Sequence, residues 1–565
     1  MTHEPADLPR ATIVMTARER HTLAETSIES IVAATRPPYR FMYLDVQSPD
    51  SLRTLLERRA SEWGLEVFRF DEPLWPHEAR DRVVGSIDTD YVVFIDNDVV
   101  VEKGWLDALV TCADETGAGI VGPLYLWGDG VHPPKIHMAG GKFAEEFAER
   151  GQRHLVDTRL LSEKDPHEVA SALHRQSCDF LEYHCTLVRS DLVRDGTLLD
   201  PSIRCVHEHV DTALSVRQRG LPIFFEPASR VTYLGLADYT LGELDFFRWR
   251  WSIEETERNI AALSSKWNIA NEDRSFKGVR EFVYEHVSTA DPIRLSPQVP
   301  ADRRTPMRRE ELRQTRSDLL DLAQERGYRA RDLALLADAY HLAHVLTAGG
   351  YRPCGRPFVN HLVGTASVLV RYDFSVETVV AGLMHAAYTH SHPHPAGPDA
   401  AVTALAVMLG GKGSPVERAV RAYAQCESKF GAAVVEETDS VLHLPVLEAQ
   451  ILAIAAANQI DMSLSGETRY SDRGDAIAPG IVRKIARVCE VLGVSGLAAT
   501  LAQAQQGEVE ARPELKTDVR DSYRIAWTEQ SLVPMRRADH LAALQAGGEA
   551  SSAERSQLPR SAAAS

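Results

Sequence analysis

Two aspartates flank one residue, directly after the clearest strand pattern of the sequence. The strand pattern is Tyr91–Ile95, and Asp96, Asn97 and Asp98 follow it. Side chains at positions i and i+2 of an extended chain point to the same side, so both carboxylates can serve one divalent cation. Hard cations such as Mg²⁺ and Mn²⁺ prefer oxygen ligands and commonly bridge to diphosphate oxygens. An isolated Asp-x-Asp is more often a strand-ending turn with solvated acids, so the surrounding elements decide between the two interpretations.

The surrounding elements are predicted to alternate between strands and helices over the first 235 residues. Apolar runs with β-branched members predict strands, and helical spacing of apolar residues predicts helices between them. The strands are predicted at Ala11–Met15, Arg40–Leu44, Leu65–Phe70 and Tyr91–Ile95, and the helices at Leu23–Ala33 and Leu52–Trp63. This alternation favours a mostly parallel, covered α/β sheet, in which polar residues at the carboxyl ends of strands lie where such sheets bind ligands. No GxGxxG or GxxxxGK[ST] loop occurs, which disfavours a Rossmann dinucleotide site and a P-loop.

Composition divides the 565 residues into a mixed half and a helical half. We predict a first domain at 1–286, a Pro- and Ser-rich linker at 287–312, an all-α domain at 313–510 and a C-terminal extension at 511–565. The tail of this extension, from about residue 545, is too poor in apolar residues to fold and is predicted to be disordered.

Charge, cysteine content and hydropathy exclude several classes of partner and location. The formal net charge is -18, so the chain as a whole has no attraction to nucleic acid or anionic lipid. The seven cysteines are dispersed without a CxxC pair, which is typical of reduced thiols in a cytosol. Neither an apolar signal core nor a stretch of 18 uncharged apolar residues occurs, so we expect a cytoplasmic protein without a membrane span.

Four segments, taken in order, make residues 10–270 resemble family 2 glycosyltransferases with the GT-A fold. TIVMTARER stands where that family has its first strand and nucleotide loop, and LDVQSPDS where it has a strand ending in Asp. HEARDRVVGSIDTDYVVFIDND resembles the family's A-R-N…D-n-D stretch, with Asp81 in place of Asn. CVHEHVDTALSVRQRGLPIFFEP resembles its acceptor-side motif. HMAGG, which begins at His137, is similar to an H-x-x-G-G loop of many sugar transferases, where glycine lets the backbone approach a ligand.

The resemblance implies an α/β GT-A domain and a role for individual residues. A cation held by Asp96 and Asp98, either Mn²⁺ or Mg²⁺, would neutralise the charge that develops on a diphosphate leaving group. The resemblance places the nucleotide-sugar against Thr16, Arg18, Glu19, Asp45, Arg80, Asp96 and Asn97. An inverting transfer further needs a carboxylate or imidazole that takes the proton of the acceptor hydroxyl.

The catalytic base is expected within the acceptor-side motif, where this chain departs from the family pattern. The family has adjacent Glu and Asp, whereas here His209 follows Glu208, and Asp211 comes two residues later. Asp211 and Glu208 are equal candidates, and His209 is a third one because imidazole titrates near neutral pH. In the alternative interpretation these polar residues only cap a helix whose apolar face is buried.

In the helical half, the segment GRPFVNHLVGTASVLVRYDFSVETVVAGLMHAAYTH resembles the start of an HD-type domain, as in the (p)ppGpp hydrolases. His361 and His385 match the two histidines of that family, but Ala386 and Asn458 stand where its two aspartates are expected, and Asp461 lies one turn after Asn458. Active members hold metal with two His and two Asp. The resemblance therefore implies a degenerate, non-catalytic HD-like domain with a structural, acceptor-binding or oligomerising role.

The sequence as a whole predicts a metal-dependent, inverting glycosyltransferase. Its donor would be a nucleotide-sugar, UDP-linked by family habit, and its acceptor the hydroxyl of a small molecule or glycan. The alternative is an HD-type nucleotide phosphohydrolase whose N-terminal domain senses a nucleotide-sugar, and a non-catalytic nucleotide-sugar binder is a third possibility. The intact Asp-x-Asp and the eroded HD motif favour the transferase. The donor sugar is not predicted, because the residues that recognise sugar hydroxyls vary freely within one fold.

Overall fold

The computed structural model of the protein describes most of the chain as far as residue 511. The described residues are 8–17, 19–128, 133–147, 151–204, 206–235, 239–271, 273–294, 301–352, 354–391, 398–426, 441–470 and 477–511. The chain divides into two compact units, Met1–Val287 and Ser288–Ser565.

The first unit is built on a mixed β-sheet that ten strands form among the described residues, with a separate two-stranded hairpin. The strands are β1 (Ala11–Thr16), β2 (Arg40–Val46), β3 (Leu65–Phe70), β4 (Tyr91–Asp96), β5 (Val99–Val101), β6 (Ile120–Trp127), β7 (Lys135–Met138), β8 (Gly141–Phe147), β9 (Arg153–Arg159), β10 (Gln176–Cys178), β11 (Cys185–Arg189) and β12 (Ile223–Tyr233). The helices that begin in this unit are α1 (Ala24–Ala34), α2 (Asp50–Arg59), α3 (Pro76–Val83), α4 (Trp105–Thr116), α5 (Ser190–Arg194), α6 (Glu208–Gln218), α7 (Leu244–Arg250), α8 (Ile253–Trp267) and α9 (Arg274–Ala290). The four predicted strands and the two predicted helices are confirmed, with ends that differ by a few residues.

The sheet is parallel in one half and mixed in the other. Its order is β10-β12-β6-β11-β4-β1-β2-β3, with β5 paired to β12 and β7 to β6. Strands β3, β2, β1 and β4 run parallel, as the alternation of strands and helices predicts. Strand β11 is antiparallel to both of its neighbours, β4 and β6. The parallel pairing that we expect thus runs through the first four strands and recurs in the other half only between β6 and β12 among the described strands.

Strands β1 and β4 are buried along their whole length. This explains their continuous apolar sequences, because a parallel strand covered on both faces has no solvent side that would favour alternation. Every residue of YVVFID in β4 is buried, including the aspartate at its end. The central strand therefore carries an acidic side chain into the interior at its carboxyl end.

The second unit is helical over its described residues. Its helices are α10 (Arg316–Glu325), α11 (Ala330–Leu346), α12 (Phe358–Arg371), α13 (Val376–Leu383), α14 (Ala387–His390), α15 (Pro398–Met408), α16 (Pro415–Cys426), α17 (Val446–Leu464), α18 (Pro479–Leu492) and α19 (Ser495–Ala511). Helix α12 packs against both α13 and α17. None of the helices described in either unit is both long enough and apolar enough to cross a bilayer.

Part of the segment predicted as a linker packs within the second unit. Residues Ala301–Arg304 and Arg309–Glu311 form short 3-10 turns. The Nε–H of Arg303 donates to Oδ2 of the buried Asp373 at 2.8 Å, and Met307 is also buried. The segment that we predict as a linker thus includes an arginine that pairs with a buried carboxylate. The predicted disordered tail lies outside the described residues.

Candidate functional site

The carboxyl ends of β1, β2 and β4 meet at one edge of the sheet. In the parallel register, Thr16 at the end of β1 is the partner of Asp96 in β4 and of Leu44 in β2. Asp96 is only 1% exposed and Asp98 is 6% exposed. The interpretation of this pair as solvated acids in a turn is therefore wrong, and the two carboxylates belong to the interior of the sheet edge.

Asp98 forms a buried ion pair with Arg20. Nη1 of Arg20 donates to Oδ2 of Asp98 at 3.1 Å and to the hydroxyl of Tyr233 at 3.1 Å. The side chains of Arg20 and Asp98 are 4% and 8% exposed. Since an uncompensated charge is costly to bury, this pairing fixes the Asp98 carboxylate against its guanidinium partner.

Asp96 faces a different set of partners. Nδ1 of His184 lies 3.1 Å from its Oδ2, and Nη2 of Arg80 lies 3.7 Å from its Oδ1. Arg80 is fully buried, and its Nε–H donates to the hydroxyl of Thr16 at 3.3 Å. The guanidinium carbon of Arg80 also lies 4.3 Å from the ring centroid of Tyr183. Three of the residues predicted to bind the nucleotide-sugar, namely Thr16, Arg80 and Asp96, are therefore in contact with one another.

Glu19 and Asn97 form a second group of predicted nucleotide-binding residues. The side-chain amide of Asn97 donates to the carbonyl oxygen of Glu19 at 3.0 Å. The Glu19 carboxylate accepts a hydrogen bond from Nε1 of Trp251 at 2.9 Å and pairs with the buried Arg250. The loop after β1 is thus tied to the Asp-x-Asp turn on one side and to α7 on the other.

Asp45 makes separate contacts within the β2 edge. Its Oδ2 accepts from Nε of Arg69 at 3.1 Å, and its Oδ1 accepts from the backbone N–H of Ser48 at 3.1 Å. Neither of these two contacts reaches Asp96. Arg18, which we predict to bind the nucleotide-sugar, lies outside the described residues.

A cluster that the sequence analysis did not predict lies beside Asp96, and we call it the His137–Glu182–His184 cluster. Nε2 of His137 lies 2.6 Å from Oε2 of Glu182, and Nε2 of His184 lies 3.5 Å from the same oxygen. One donor atom from each residue lies within 4.8 Å of the others, which is close enough to surround one metal ion. His137 comes from β7, and the other two residues directly precede β11. The signal that could have found the pair is its i, i+2 spacing before a strand, next to an Asp-x-Asp with the same spacing.

Charge pairing keeps this cluster in a defined electrostatic state. Nε–H of Arg159 donates to Oε1 of Glu182 at 2.6 Å. Burial alone would raise the pKa of Glu182, but Arg159 and the adjacent histidines hold that pKa well below its usual range. Burial lowers the pKa of His137, against the attraction of the Glu182 carboxylate. Near neutral pH the cluster therefore contains a carboxylate and a neutral His137 imidazole, which is a metal-ligating form.

The short segment that carries Glu182 and His184 is held by backbone and side-chain contacts. Cys185, the first residue of β11, is the register partner of Ile95 at the end of β4. The buried hydroxyl of Tyr125 lies 3.0 Å from the carbonyl oxygen of Glu182 and 2.8 Å from that of Cys185. Strand pairing and one buried hydroxyl thus place these side chains beside Asp96.

The glycines that follow His137 make room for protein side chains. A Cβ at Gly141 would lie 2.3 Å from the ring of Phe180, so a side chain there would collide with the ring. Gly140 has a φ of +80°, which favours glycine because other residues are strained in that region. We expect the backbone of this loop to approach a ligand closely. Among the described residues, the backbone at Gly141 lies close to the ring of Phe180.

Asp211, one of the two leading candidates for the base, is fully buried in an ion pair. Its Oδ1 accepts from Nε1 of Trp267 at 2.7 Å and lies 2.8 Å from Nζ of Lys266. Burial raises the pKa of Asp211, while Lys266 and Trp267 oppose that rise. Both groups come from the end of α8, so the carboxylate ties α6 to α8.

Glu208 and His209 stand at the first turn of α6 together with His207. Glu208 is the first residue of the helix and is buried. Nε2 of His207 lies 3.7 Å from one oxygen of Asp157, and Nε2 of His209 lies 4.0 Å from the other. Burial would raise the pKa of Asp157, but the two histidines lower it to about 2.

Strand β9 connects the start of α6 to the His137–Glu182–His184 cluster. Asp157 and Arg159 are two residues apart on this strand, so their side chains point to the same side. Asp157 faces the histidines of α6, while Arg159 holds Glu182. His207, His209 and the cluster therefore lie along one face of the β8–β9 hairpin.

The residues of the predicted degenerate HD site come together in the second unit. The rings of His361 and His385 are 5.2 Å apart, and that of His385 is 5.3 Å from Tyr423. Asn458 donates to the hydroxyl of Tyr423 at 2.8 Å. The carboxylate that meets His361 is that of Asp461, with Oδ2 2.6 Å from Nδ1.

An arginine occupies the centre of this second cluster. Nη2 of Arg356 lies 2.6 Å from Oδ2 of Asp461 and 3.0 Å from Oε2 of Glu467. Nε of Arg352 lies 2.6 Å from the other oxygen of Glu467. His361, Asp461 and Glu467 are also close enough together to surround a metal ion, but guanidinium groups already balance both carboxylates.

Comparison with known proteins identifies part of the first unit. Residues 12–181 match the model of glycosyl transferase family 2. The match spans β1 to β10, including the Asp-x-Asp turn and His137, and ends one residue before Glu182. The first unit thus carries a family 2 glycosyltransferase domain, while the start of α6 and the second unit lie outside the matched residues.

Solved structures give weaker likenesses, and no curated protein matches the chain. The structure of GalNAc-T7 with UDP, GalNAc and Mn²⁺ is 16% identical with a TM-score of 0.33, and the likeness covers 51% of this chain and 60% of that one. The structure of S. aureus TarS 1–349 in complex with UDP-GlcNAc is 13% identical with a TM-score of 0.29, covering 66% of this chain and 90% of that one. This chain therefore spans only about 60% of the GalNAc-T7 structure.

Proposed function

We propose that this chain, with its family 2 glycosyltransferase domain at residues 12–181, transfers a sugar from a nucleotide-sugar to an acceptor hydroxyl. The observation that carries the proposal is the buried Asp96–Asp98 pair at the end of β4, inside that domain. A uridine diphosphate is the nucleotide that the resemblance favours. The acceptor class remains that of the sequence prediction, a small molecule or a glycan.

The donor set at this edge fits a divalent cation by its chemistry. Asp96 and Asp98 offer carboxylate oxygens, and the His137–Glu182–His184 cluster beside them offers a further oxygen and two imidazoles. A cation bound here would neutralise charge on the diphosphate leaving group. Arg20 and Arg80 add two buried guanidinium groups at the same edge, which hold the aspartates and contribute positive potential near an incoming diphosphate.

Glu208 is the residue that we assign as the base in an inverting transfer. Asp211 accepts hydrogen bonds from Lys266 and Trp267, so its carboxylate connects α6 to α8. Glu208 is the buried first residue of α6 and precedes His209. Its carboxylate would take the proton of the acceptor hydroxyl as the new glycosidic bond forms.

We propose a non-catalytic role for the second unit. In its His361 cluster, Arg356 lies on Oδ2 of Asp461, the same oxygen that meets His361, and Ala386 and Asn458 stand where the HD family has two aspartates. This arrangement supports a degenerate HD-like site over the alternative of a nucleotide phosphohydrolase. We expect the chain to hydrolyse neither (p)ppGpp nor simple nucleotides, measured as release of pyrophosphate and phosphate by chelator-treated and Mn²⁺-supplemented protein.

The transferase proposal is tested by incubating the full chain with a panel of UDP-sugars and Mn²⁺, and measuring UDP release. Asp98→Ala removes a carboxylate and should lower turnover about a thousandfold or more, since several kcal/mol of transition-state stabilisation are lost. Asp71→Ala is the matched control, because its side chain is 94% exposed. Circular dichroism checks that both variants are folded. Absence of turnover with every donor, or turnover by Asp98→Ala at the wild-type rate, would contradict the proposal.

A further inference from the structure

We propose that the His137–Glu182–His184 cluster is a transition-metal site, with Asp96 supporting it from the outer coordination shell. This rests on the proposed function, because the ion would lie in the transferase site, but metal binding is measurable without any transfer. The sequence analysis assigns the metal to Asp96 and Asp98. The structure adds a two-imidazole, one-carboxylate set of direct ligands and places Asp96 behind one of the imidazoles.

The donor atoms already have the spacing of a coordination sphere. Oε2 of Glu182 lies 2.6 Å from Nε2 of His137 and 3.5 Å from Nε2 of His184. Ligand atoms at about 2.1 Å from a metal ion lie about 3–3.5 Å from one another. A small movement of the His137 ring is therefore enough to admit an ion between the three atoms.

The outer contacts leave the ligating atoms directed at one point. Asp96 holds Nδ1 of His184 at 3.1 Å, which leaves Nε2 of that ring towards Glu182. Arg159 holds Oε1 of Glu182, which leaves Oε2 towards both histidines. A carboxylate behind a histidine and a hydrogen bond behind a carboxylate are the usual outer-shell supports of a metal site.

The cluster is open enough to exchange ions and to admit an anionic ligand. The side chains of His137 and His184 are 14% and 17% exposed, and that of Glu182 is 7% exposed. Three protein ligands leave further coordination positions for diphosphate oxygens or water. Because Asp96 belongs both to the Asp-x-Asp turn and to this outer shell, the ion would lie at the edge where the diphosphate is expected.

The chemistry of the ligands predicts which ions bind. Imidazole suits the later first-row metals, whereas Mg²⁺ and Ca²⁺ prefer all-oxygen sites. We therefore expect Co²⁺ and Zn²⁺ to bind more tightly than Mn²⁺, and Mg²⁺ to bind least tightly. The second three-residue group, around His361, differs because Arg356 lies 2.6 Å from Asp461 and 3.0 Å from Glu467.

The test uses the chelator-treated full chain and Co²⁺ alone, followed by the visible absorption of the bound ion. We expect one equivalent to bind. His137→Gln, His184→Gln and Glu182→Gln should weaken binding by more than the roughly 10–100-fold loss expected for Asp96→Asn, which removes only outer-shell support. His174→Gln, at an exposed position of the same unit, is the matched control. Thermal unfolding shows whether each variant is folded.

A second measurement needs no variant. Mn²⁺ bound to the wild-type chain should show electron spin-echo modulation from coordinated imidazole nitrogen. Absence of nitrogen coordination, or Co²⁺ affinity in the folded cluster variants equal to that of the wild type, overturns the proposal. Metal bound at the cluster without any UDP-sugar turnover would refute the transferase and leave the metal site standing. UDP-sugar turnover by the wild type, together with unaltered metal binding in the cluster variants, would refute the metal site and leave the transferase standing.

Discussion

Asp96 and Asp98 are two residues apart, yet each carboxylate meets its own cationic partner. Asp98 is paired with Arg20, and Asp96 lies between His184 and Arg80. At the scale of single residues, the positions and charges of the two carboxylates therefore depend on Arg20, Arg80 and His184. The same holds for Asp211, one turn into α6, whose carboxylate is paired with Lys266 and Trp267.

Substitutions at Asp211 and Glu208 should separate a structural carboxylate from a catalytic one. Asp211→Asn leaves Lys266 without its buried partner, so we expect a loss of about 1–3 kcal/mol in the free energy of unfolding. Glu208→Gln should instead lower kcat about 10²–10⁴-fold with nearly normal stability and donor affinity, since a base contacts the acceptor.

Urea unfolding and steady-state kinetics on the two variants distinguish these outcomes. If Asp211→Asn is as stable as the wild type and loses kcat, while Glu208→Gln does not, Asp211 is the base. His209→Asn is the third comparison, because the same kcat loss there with normal kcat in Glu208→Gln would assign the base to the imidazole.

At the scale of elements, Gly364 sets the distance between α12 and α17. A Cβ at this position would lie 1.7 Å from Oδ1 of Asp461 in α17. Gly364→Ala should therefore displace Asp461 from its hydrogen bond to His361 and lower the free energy of unfolding by about 1–3 kcal/mol or more. The position has no space into which the added methyl group can move.

The matched control is the same substitution at Gly278 in α9, where nothing lies within 4 Å of an added Cβ. Because this helix position is exposed, Gly278→Ala should be neutral or stabilise by about 0.5–1 kcal/mol through helix propensity. Unfolding midpoints of both variants in urea make the comparison. Equal midpoints for Gly364→Ala and the wild type would show that the two helices are less closely fixed than the structure implies.

The elements also explain what could be predicted from the sequence. Strands β1 and β4 are uninterrupted apolar runs, because both of their faces are buried, and they were predictable from that pattern. The His137–Glu182–His184 cluster was not, since its members come from β7 and from the segment before β11, and only the antiparallel pairing of β11 with β4 brings them to Asp96. Pairing between distant segments leaves no fixed spacing in the sequence.

The second unit shows the same limit. His361 and His385 were predictable as neighbours, because a family pattern marks both. The family pattern does not mark Arg356. It aligns Asn458 with the aspartate of the family, whereas the carboxylate that contacts His361 is that of Asp461. A helix turn shifts the carboxylate by three residues, and a pattern match alone cannot show which of the two positions faces His361.

At the scale of the whole molecule, buried histidines in both units link folding to pH. Burial lowers the pKa of His207 in the first unit to about 4 and that of His385 in the second unit to about 4. Unfolded histidine titrates near 6.5. Between these values the unfolded chain binds protons that the folded chain does not, so stability must fall as the pH falls from about 6.5 to 4.

The last prediction measures the share of that loss that one histidine in each unit contributes. Each buried histidine should contribute a slope of about 1.4 kcal/mol per pH unit within this window. His385 lies with Nδ1 2.7 Å from the carbonyl oxygen of Gly382, a bond that the amide of His385→Asn can keep while no longer titrating. His207→Asn removes the corresponding group from the first unit.

Two signals allow the units to be followed separately in urea at pH 7, 6 and 5. Seven of the eight tryptophans precede residue 288, so tryptophan fluorescence reports mainly on the first unit, whereas far-UV circular dichroism includes the helices of the second. His207→Asn should reduce the pH slope of the fluorescence transition by about 1.4 kcal/mol per pH unit, and His385→Asn should reduce that of the helical signal by the same amount. His341→Asn, at an exposed position of α11, is the control that should change neither. A wild-type slope in both histidine variants would mean that other groups cause the acid sensitivity of this fold.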